Sequence, residues 1–214
     1  SSSATGVATV NSSGAVTIVG AGSTTITATV ADGTNYTYAT KTASYTLTVG
    51  KAAGAVTLSA TSGSVTYGTT SATFTASRTG NGTLSVTDDN ATATVSISNG
   101  TVTISNIGSL TAGTKVVVTV SAAAGTNYNA ASATYTLTIN KAAGSISYAT
   151  TSVSKTYGNG SFTNTLTKTG DGAVTYSSSA TGVATVNSST GAVTIKGAGS
   201  ATITATTSNG KKAE

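Results

Sequence analysis

The chain has 214 residues, 37% hydrophobic and 7% charged, with a formal net charge of +5. It contains no Cys, Met, Trp, His or Pro, which excludes disulfides, thiolate metal sites and imidazole chemistry while leaving the compartment open. The ten Lys and Arg are scattered, with no run longer than Lys211-Lys212, so they read as a solubilising charge and not as a nucleic-acid footprint; no apolar stretch approaches the ~18 residues of a membrane-spanning helix.

The apolar residues alternate with Thr and Ser, a pattern that disordered chains lack and that suits pleated, half-exposed strands. An all-β protein is predicted. In chain order, the first segment reads SSSATGVATVNSS at residues 1–13, GAVTI at 14–18, GAGS at 20–23 and YTLTVG at 45–50. KAAG at 51–54 then leads into seven or eight alternating runs, roughly at residues 55–60, 64–67, 71–77, 83–87, 93–98, 101–105, 115–122 and 132–139. Within them Val102 and Ile104, then Val116, Val118 and Val120, then Tyr135, Leu137 and Ile139 share one face at period two. Two such sheets bury their apolar faces against each other and leave Thr and Ser outside. Asn99-Gly100, between two runs, predicts a tight type I′ hairpin.

YTLTIN at 135–140 and KAAG at 141–144 repeat the earlier strings; KTYG at 155–158 answers VTYG at 65–68. The opening string recurs at 177–189, followed by GAVTI at 191–195 and GAGS at 197–200. The resulting period of about 90 residues is too long for a solenoid and fits one immunoglobulin-sized sandwich. The chain therefore divides into the C-terminal half of a repeat (residues 1–50), a complete repeat (51–140) and a repeat lacking its last strand (141–214). The missing strands are expected in residues outside this stretch, as is any secretion signal or anchor. The alternative is that a neighbouring molecule fills the gaps by strand addition.

The string TYSSSATGVATVNSSTGAVTIKGAGSATITAT at residues 175–206 resembles the bacterial immunoglobulin-like domains of group 2, the repeats of many surface proteins and of the invasin and intimin adhesins. The resemblance rests on a Ser-rich turn, a V-A-T-V strand, an N-x-x-G type of turn, a V-T-I strand, a G-A-G turn and an I-T-A strand. It extends through KTYG and the NY…YTLTV closing strand at 35–49. It implies tandem immunoglobulin-like β-sandwich domains, mostly spacer and display modules, on a bacterial surface or secreted protein. The middle repeat departs from the pattern: its hairpin reads TVSISNGTVTIS, and the longer loop at 106–114 leaves G-A-G unmatched. That loop is the first place to look for a private binding role, and a plain surface insertion is the expectation.

No catalytic residue and no cofactor are expected. The five acids are Asp32, Asp88, Asp89, Asp171 and Glu214, and none has a His, Cys or suitably spaced carboxylate to work with. Asp32 and Asp171 precede Gly, the ordinary place for a turn Asp. Asp88-Asp89-Asn90 is the one candidate calcium cluster; it lacks the alternating spacing of calcium loops, and a polar turn is the competing reading. A Lys isopeptide crosslink is rejected, because Lys51 and Lys141 fall at repeat junctions and the Asp residues in turns. Lys41 and Lys155 are read as guards against edge pairing.

The leading expectation for function is an extracellular structural stalk, whose partners are neighbouring immunoglobulin-like repeats of the same or identical chains. A self-assembling filament or phage surface component built from the same domains is one alternative. Direct adhesion to a host protein or glycan is another, and the low aromatic content of 5% weighs against it.

Overall fold

The structure, a computed structural model, describes residues 1–208 and the backbone of residues 212–213. It divides into two compact units, Ser1–Lys141 and Ala142–Glu214, and every regular element among the described residues is a strand. Among the described residues no helix is long and apolar enough to cross a membrane.

In the first unit, residues 1–50 supply β1 (Ala8–Val10), β2 (Val16–Ile18), β3 (Gly22–Thr29) and β4 (Thr42–Val49). β1 and β2 pair antiparallel from Ala8↔Ile18 to Val10↔Val16. β3 and β4 pair from Gly22↔Val49 to Thr29↔Thr42, and Ser2 bridges to Ile26 on the free side of β3.

The middle segment contains β5 (Ala55–Leu58), β6 (Ser62–Thr66), β7 (Ser71–Thr79), β8 (Leu84–Asp88), β9 (Thr94–Ser98), β10 (Thr101–Ser105), β11 (Lys115–Ala122) and β12 (Ala131–Asn140). All eight predicted runs are strands, with ends shifted by a few residues. They form two four-stranded sheets, β5-β7-β10-β9 and β6-β12-β11-β8, the arrangement of an immunoglobulin-like sandwich. The period-two pattern explains the core. Phe74, Val102 and Ile104 of one sheet meet Val116, Val118, Val120, Tyr135, Leu137 and Ile139 of the other, while the intervening Thr and Ser stay at the surface. Phe74 and Tyr135 stack across the sandwich with ring centroids 4.1 Å apart and planes 15° apart. Gly63 lies against the Tyr135 hydroxyl, and a Cβ there would collide with it. Asn99 and Gly100 adopt positive φ, 48° and 78°, between the partners Ser98 and Thr101, as a type I′ turn requires.

The loop at 106–114 is not a surface insertion. Ile107 and Leu110 are buried in the core, brought to one side by a turn in which the Leu110 N–H donates to Ile107 O (3.1 Å). The loop is anchored by Gly113 N–H to Ile139 O (2.7 Å) and Ile139 N–H to Thr114 O (2.9 Å). It closes one end of the sandwich with two apolar side chains.

The second unit contains β13 (Ser145–Tyr148), β14 (Leu166–Thr169), β15 (Val174–Ser178), β16 (Ala184–Val186), β17 (Val193–Ile195), β18 (Ile203–Thr207) and β19 (Lys212–Ala213). β13 pairs with β14, β16 with β17, and β18 lies between β15 and the two-residue β19. Phe162 bridges to Val193 through Phe162 N–H to Val193 O (3.1 Å) and Val193 N–H to Phe162 O (2.8 Å). Lys211 and Glu214 lie outside the described residues.

Repeated strings show what covering does. Tyr135, Leu137 and Ile139 are 6%, 1% and 1% exposed. Tyr45, their counterpart at the head of the same YTLT string, is 55% exposed, and Leu47 and Val49 are only half-buried. Val193, under Phe162, is 4% exposed, whereas its counterpart Val16, with no such bridge, is half-buried. The strand pattern is the same in each pair, and the opposing layer sets the burial. Leu137→Ala should therefore destabilise the middle sandwich by about 2–5 kcal/mol, and Ile107→Ala by a comparable amount, while Leu47→Ala costs less than half as much. Urea denaturation of the full chain, followed by the amide resonances of each segment, measures all three.

Candidate functional site

Among the described residues no three His, Cys, Asp or Glu side chains come together. Asp32, Asp88 and Asp89 each accept a backbone amide. Asp88, at the end of β8, accepts the Asn90 N–H on Oδ1 (3.0 Å), and Asn90 Oδ1 accepts the Thr92 and Ala93 amides (3.0 and 3.1 Å). Asp89 Oδ1 accepts the Val117 N–H (2.8 Å). The three residues of the calcium candidate are thus consecutive, and each commits a side-chain oxygen to backbone amides: Asp88 and Asn90 within the turn, as turn-forming Asp and Asn do, and Asp89 to the neighbouring strand β11. Asp32 Oδ1 accepts the Tyr38 N–H (3.0 Å), and Lys41 Nζ donates to Asp32 Oδ2 (2.5 Å). The Lys41 ammonium first, and the Tyr38 amide second, hold the Asp32 carboxyl below its ordinary value. Lys41 therefore closes a loop just before β4. Lys155 also lies outside any strand, with its ammonium 5.2 Å from the centroid of the Phe162 ring. A shallow depression lined by Thr57, Leu58, Ser59, Thr75, Ala76 and Gly100 carries no charged group.

A set of polar contacts within the first unit joins residues 1–50 to the middle segment. The G-A-G turn following β2 folds back on the turn before β1: the Val19 and Gly20 amides both donate to Val7 O (2.8 and 3.1 Å). This leaves the Ala21 amide pointing away, and it donates to Asn127 Oδ1 at 2.9 Å. A Cβ on Gly20 would lie 2.9 Å from both Asn127 Oδ1 and Gly6 O, so no larger residue fits there. Gly22 has φ +145°, and a Cβ on it would lie 2.8 Å from Val7 Cγ2. Asn127 belongs to the loop between β11 and β12, which is closed by Gly125 N–H to Tyr128 O (3.0 Å).

The same loop grips the linker. Ala52 N–H donates to Asn127 O (2.8 Å) and Asn129 N–H to Ala52 O (2.9 Å), so Ala52 bridges Tyr128 in parallel. Lys51 Nζ donates to Gly125 O (2.8 Å), which gives the junction lysine a carbonyl partner. Tyr128 lies against Gly80, whose φ of +122° and the 3.1 Å left to Tyr128 Cβ exclude a side chain. Residues 51–54 are therefore a hydrogen-bonded splice and not a free tether. The role of Asn127 has no periodic signal in the sequence. The clue is that G-T-N-Y occurs twice, at 33–36 and 125–128, each time ahead of a YTLT strand.

Residues 157–209 match the family model described as the intimin immunoglobulin-like domain. No curated protein matches the chain in sequence. Among solved structures, the chain is similar to the titin domains Z1Z2 in complex with telethonin, at 16% identity over 74% of this chain and 93% of that one, TM-score 0.44. It is also similar to the S-layer protein rSbsC, at 22% identity over 96% of this chain and 28% of that one, TM-score 0.32. A third similarity is to the C-terminal 282-residue fragment of intimin in complex with the intimin-binding domain of the translocated intimin receptor, at 19% identity over 74% and 60%, TM-score 0.26.

Two outcomes follow from the carboxylate geometry. Millimolar Ca²⁺ should leave the melting temperature unchanged; a rise of several degrees, abolished by Asp88→Ala with Asp89→Ala, would establish a calcium site at that turn. The stabilisation from Asp32 is present above the ordinary Asp value and fades as pH falls through the lower folded value. The Tyr38 amide resonance should accordingly titrate with a midpoint below the usual Asp range, and Lys41→Ala should raise that midpoint.

Proposed function

We propose that the chain, whose residues 157–209 match the model of the intimin immunoglobulin-like domain, comprises the C-terminal half of one such repeat (1–50), a complete repeat (51–140) and a repeat lacking its last strand (141–214), and serves as a non-catalytic structural stalk of an extracellular bacterial surface protein. The observation that carries this reading is the splice at residues 51–54. Ala52 leaves β4 and is at once bonded to residues 127 and 129 of the following loop, and Asn127 also holds the turn at Ala21. A stalk needs successive sandwiches fixed in direction, because a flexible tether coils and loses reach. A sandwich with seven-residue strands contributes roughly 25 Å of length, so fixed junctions convert repeat number directly into distance. The partners of this surface are adjoining repeats, and the role is to hold a distal region of the protein away from the cell.

The absence of natural cysteine makes the test direct. Spin labels at Thr17→Cys and Thr75→Cys, both on exposed strand positions, report the distance between residues 1–50 and the middle repeat. A single narrow distance distribution is expected in the full chain, broadened by Asn127→Ala. A broad distribution in the otherwise unaltered chain would overturn the stalk.

A further inference from the structure

The clamp between Ala21 and Asn127 has two halves, and each half recurs in the chain without its partner. The G-A-G turn of the second unit reproduces the first in detail. The Lys196 and Gly197 amides both donate to Val183 O (2.8 and 3.2 Å), as Val19 and Gly20 do to Val7 O. Gly199 has φ +140° and a Cβ on it would lie 2.8 Å from Val183 Cγ2, matching Gly22 and Val7. A Cβ on Gly197 would meet only Gly182 O, at 2.9 Å, where the equivalent at Gly20 meets Asn127 as well. Ala198 is exposed while its counterpart Ala21 is half-buried, and the Ala198 amide, in the place of the one that Asn127 caps, has no such acceptor among the described residues.

The other half also recurs. The loop at 33–36 has the G-T-N-Y sequence of 125–128 and the same closure, Gly33 N–H to Tyr36 O at 2.9 Å. There Asn35 and Tyr36 are exposed, where Asn127 and Tyr128 are half-buried.

We propose that the Gly-Ala-Gly turn and the Gly-Thr-Asn-Tyr loop are a matched pair that couples consecutive repeats, and that the turn at residues 197–199 is a docking site for the Asn side chain of such a loop on an adjoining repeat. Asn is suited to this because its Oδ1 accepts the one amide that the turn leaves unpaired, and capping that amide removes the cost of leaving a donor without a partner when another repeat covers it. The two glycines are required by backbone contact and φ. The recognition is therefore specified by three small residues on one side and one amide side chain on the other. The middle repeat, whose loop at 106–114 replaces G-A-G, lacks this half of the pair.

The inference rests on the stalk reading only for the order of the repeats. It is tested by prolonging the full chain after Thr206 with a second copy of residues 30–140, which supplies a closing strand, the K-A-A-G linker and a G-T-N-Y loop in the order seen at the first junction. Amide exchange of Ala198 should slow by about tenfold, the scale of one net hydrogen bond. Asn127→Ala in the added segment should return it to the rate of the unprolonged chain, with the Lys196 amide unaffected. The pairing is overturned if Ala198 exchanges at the same rate with and without that Asn while Val118 of the added repeat is fully protected, which certifies that the repeat has folded. Slow Ala198 exchange beside a broad spin-label distribution at the first junction would instead retain the pairing and reject the stalk.

Discussion

A strand that alternates Thr with Val or Ile is amphipathic, and it is stable only when something covers its apolar face. In the middle repeat the two facing sheets supply that cover. β11 and β12 turn six side chains onto Phe74, Val102 and Ile104, and Ile107 with Leu110 seal one end. A chain without Cys has no disulfide to assist, so the register of the two sheets carries the arrangement. It sets which Thr face solvent, where the turns fall, and how far the loop bearing Asn127 projects beyond β11. The YTLT strand shows the dependence most directly: Tyr135 and Leu137 are buried, whereas Tyr45 is exposed and Leu47 half-buried.

The loops that join residues 1–50 to the middle segment are polar. The junction at residues 51–54 is built from backbone amides and carbonyls, one Asn side chain and one Lys side chain, with glycines wherever chains approach closely. Such a contact is directional and short-ranged, so it fixes orientation without presenting an apolar patch that would aggregate when unpartnered. Asn81 behaves similarly inside the repeat, its amide side chain filling the space beside Gly125 where a Cβ would collide. These two loops of the middle segment thereby support one another.

The strands of this fold were legible because alternation is a local signal. The runs at 101–105 and 115–122 coincide with β10 and β11, and Asn99-Gly100 announced its turn because few other pairs tolerate two successive positive φ values. What the sequence concealed is non-local. The parallel pairing of β6 with β12 joins residues some seventy positions apart, and neither strand's own pattern names its partner. Residues 106–114 read as a surface loop because Ile107 and Leu110 belong to no period; their burial depends on the shape of the sandwich end. Asn127 was invisible for a related reason. A lone polar residue in a loop carries no pattern, and only the place where the G-A-G turn arrives gives it a task.

The parallel pairing has a mechanical meaning. β6 lies near the start of the middle repeat and β12 ends it, and they run side by side in the same direction over five paired positions, from Ser62↔Thr136 to Thr66↔Asn140. A chain stretched from its two ends pulls β6 and β12 in opposite senses along their common axis. The hydrogen bonds between them are then loaded across their length and must yield together, as a lap joint does, whereas an antiparallel hairpin such as β9 and β10 would unzip rung by rung. Tension applied along the repeat therefore loads this edge of the sheet in shear.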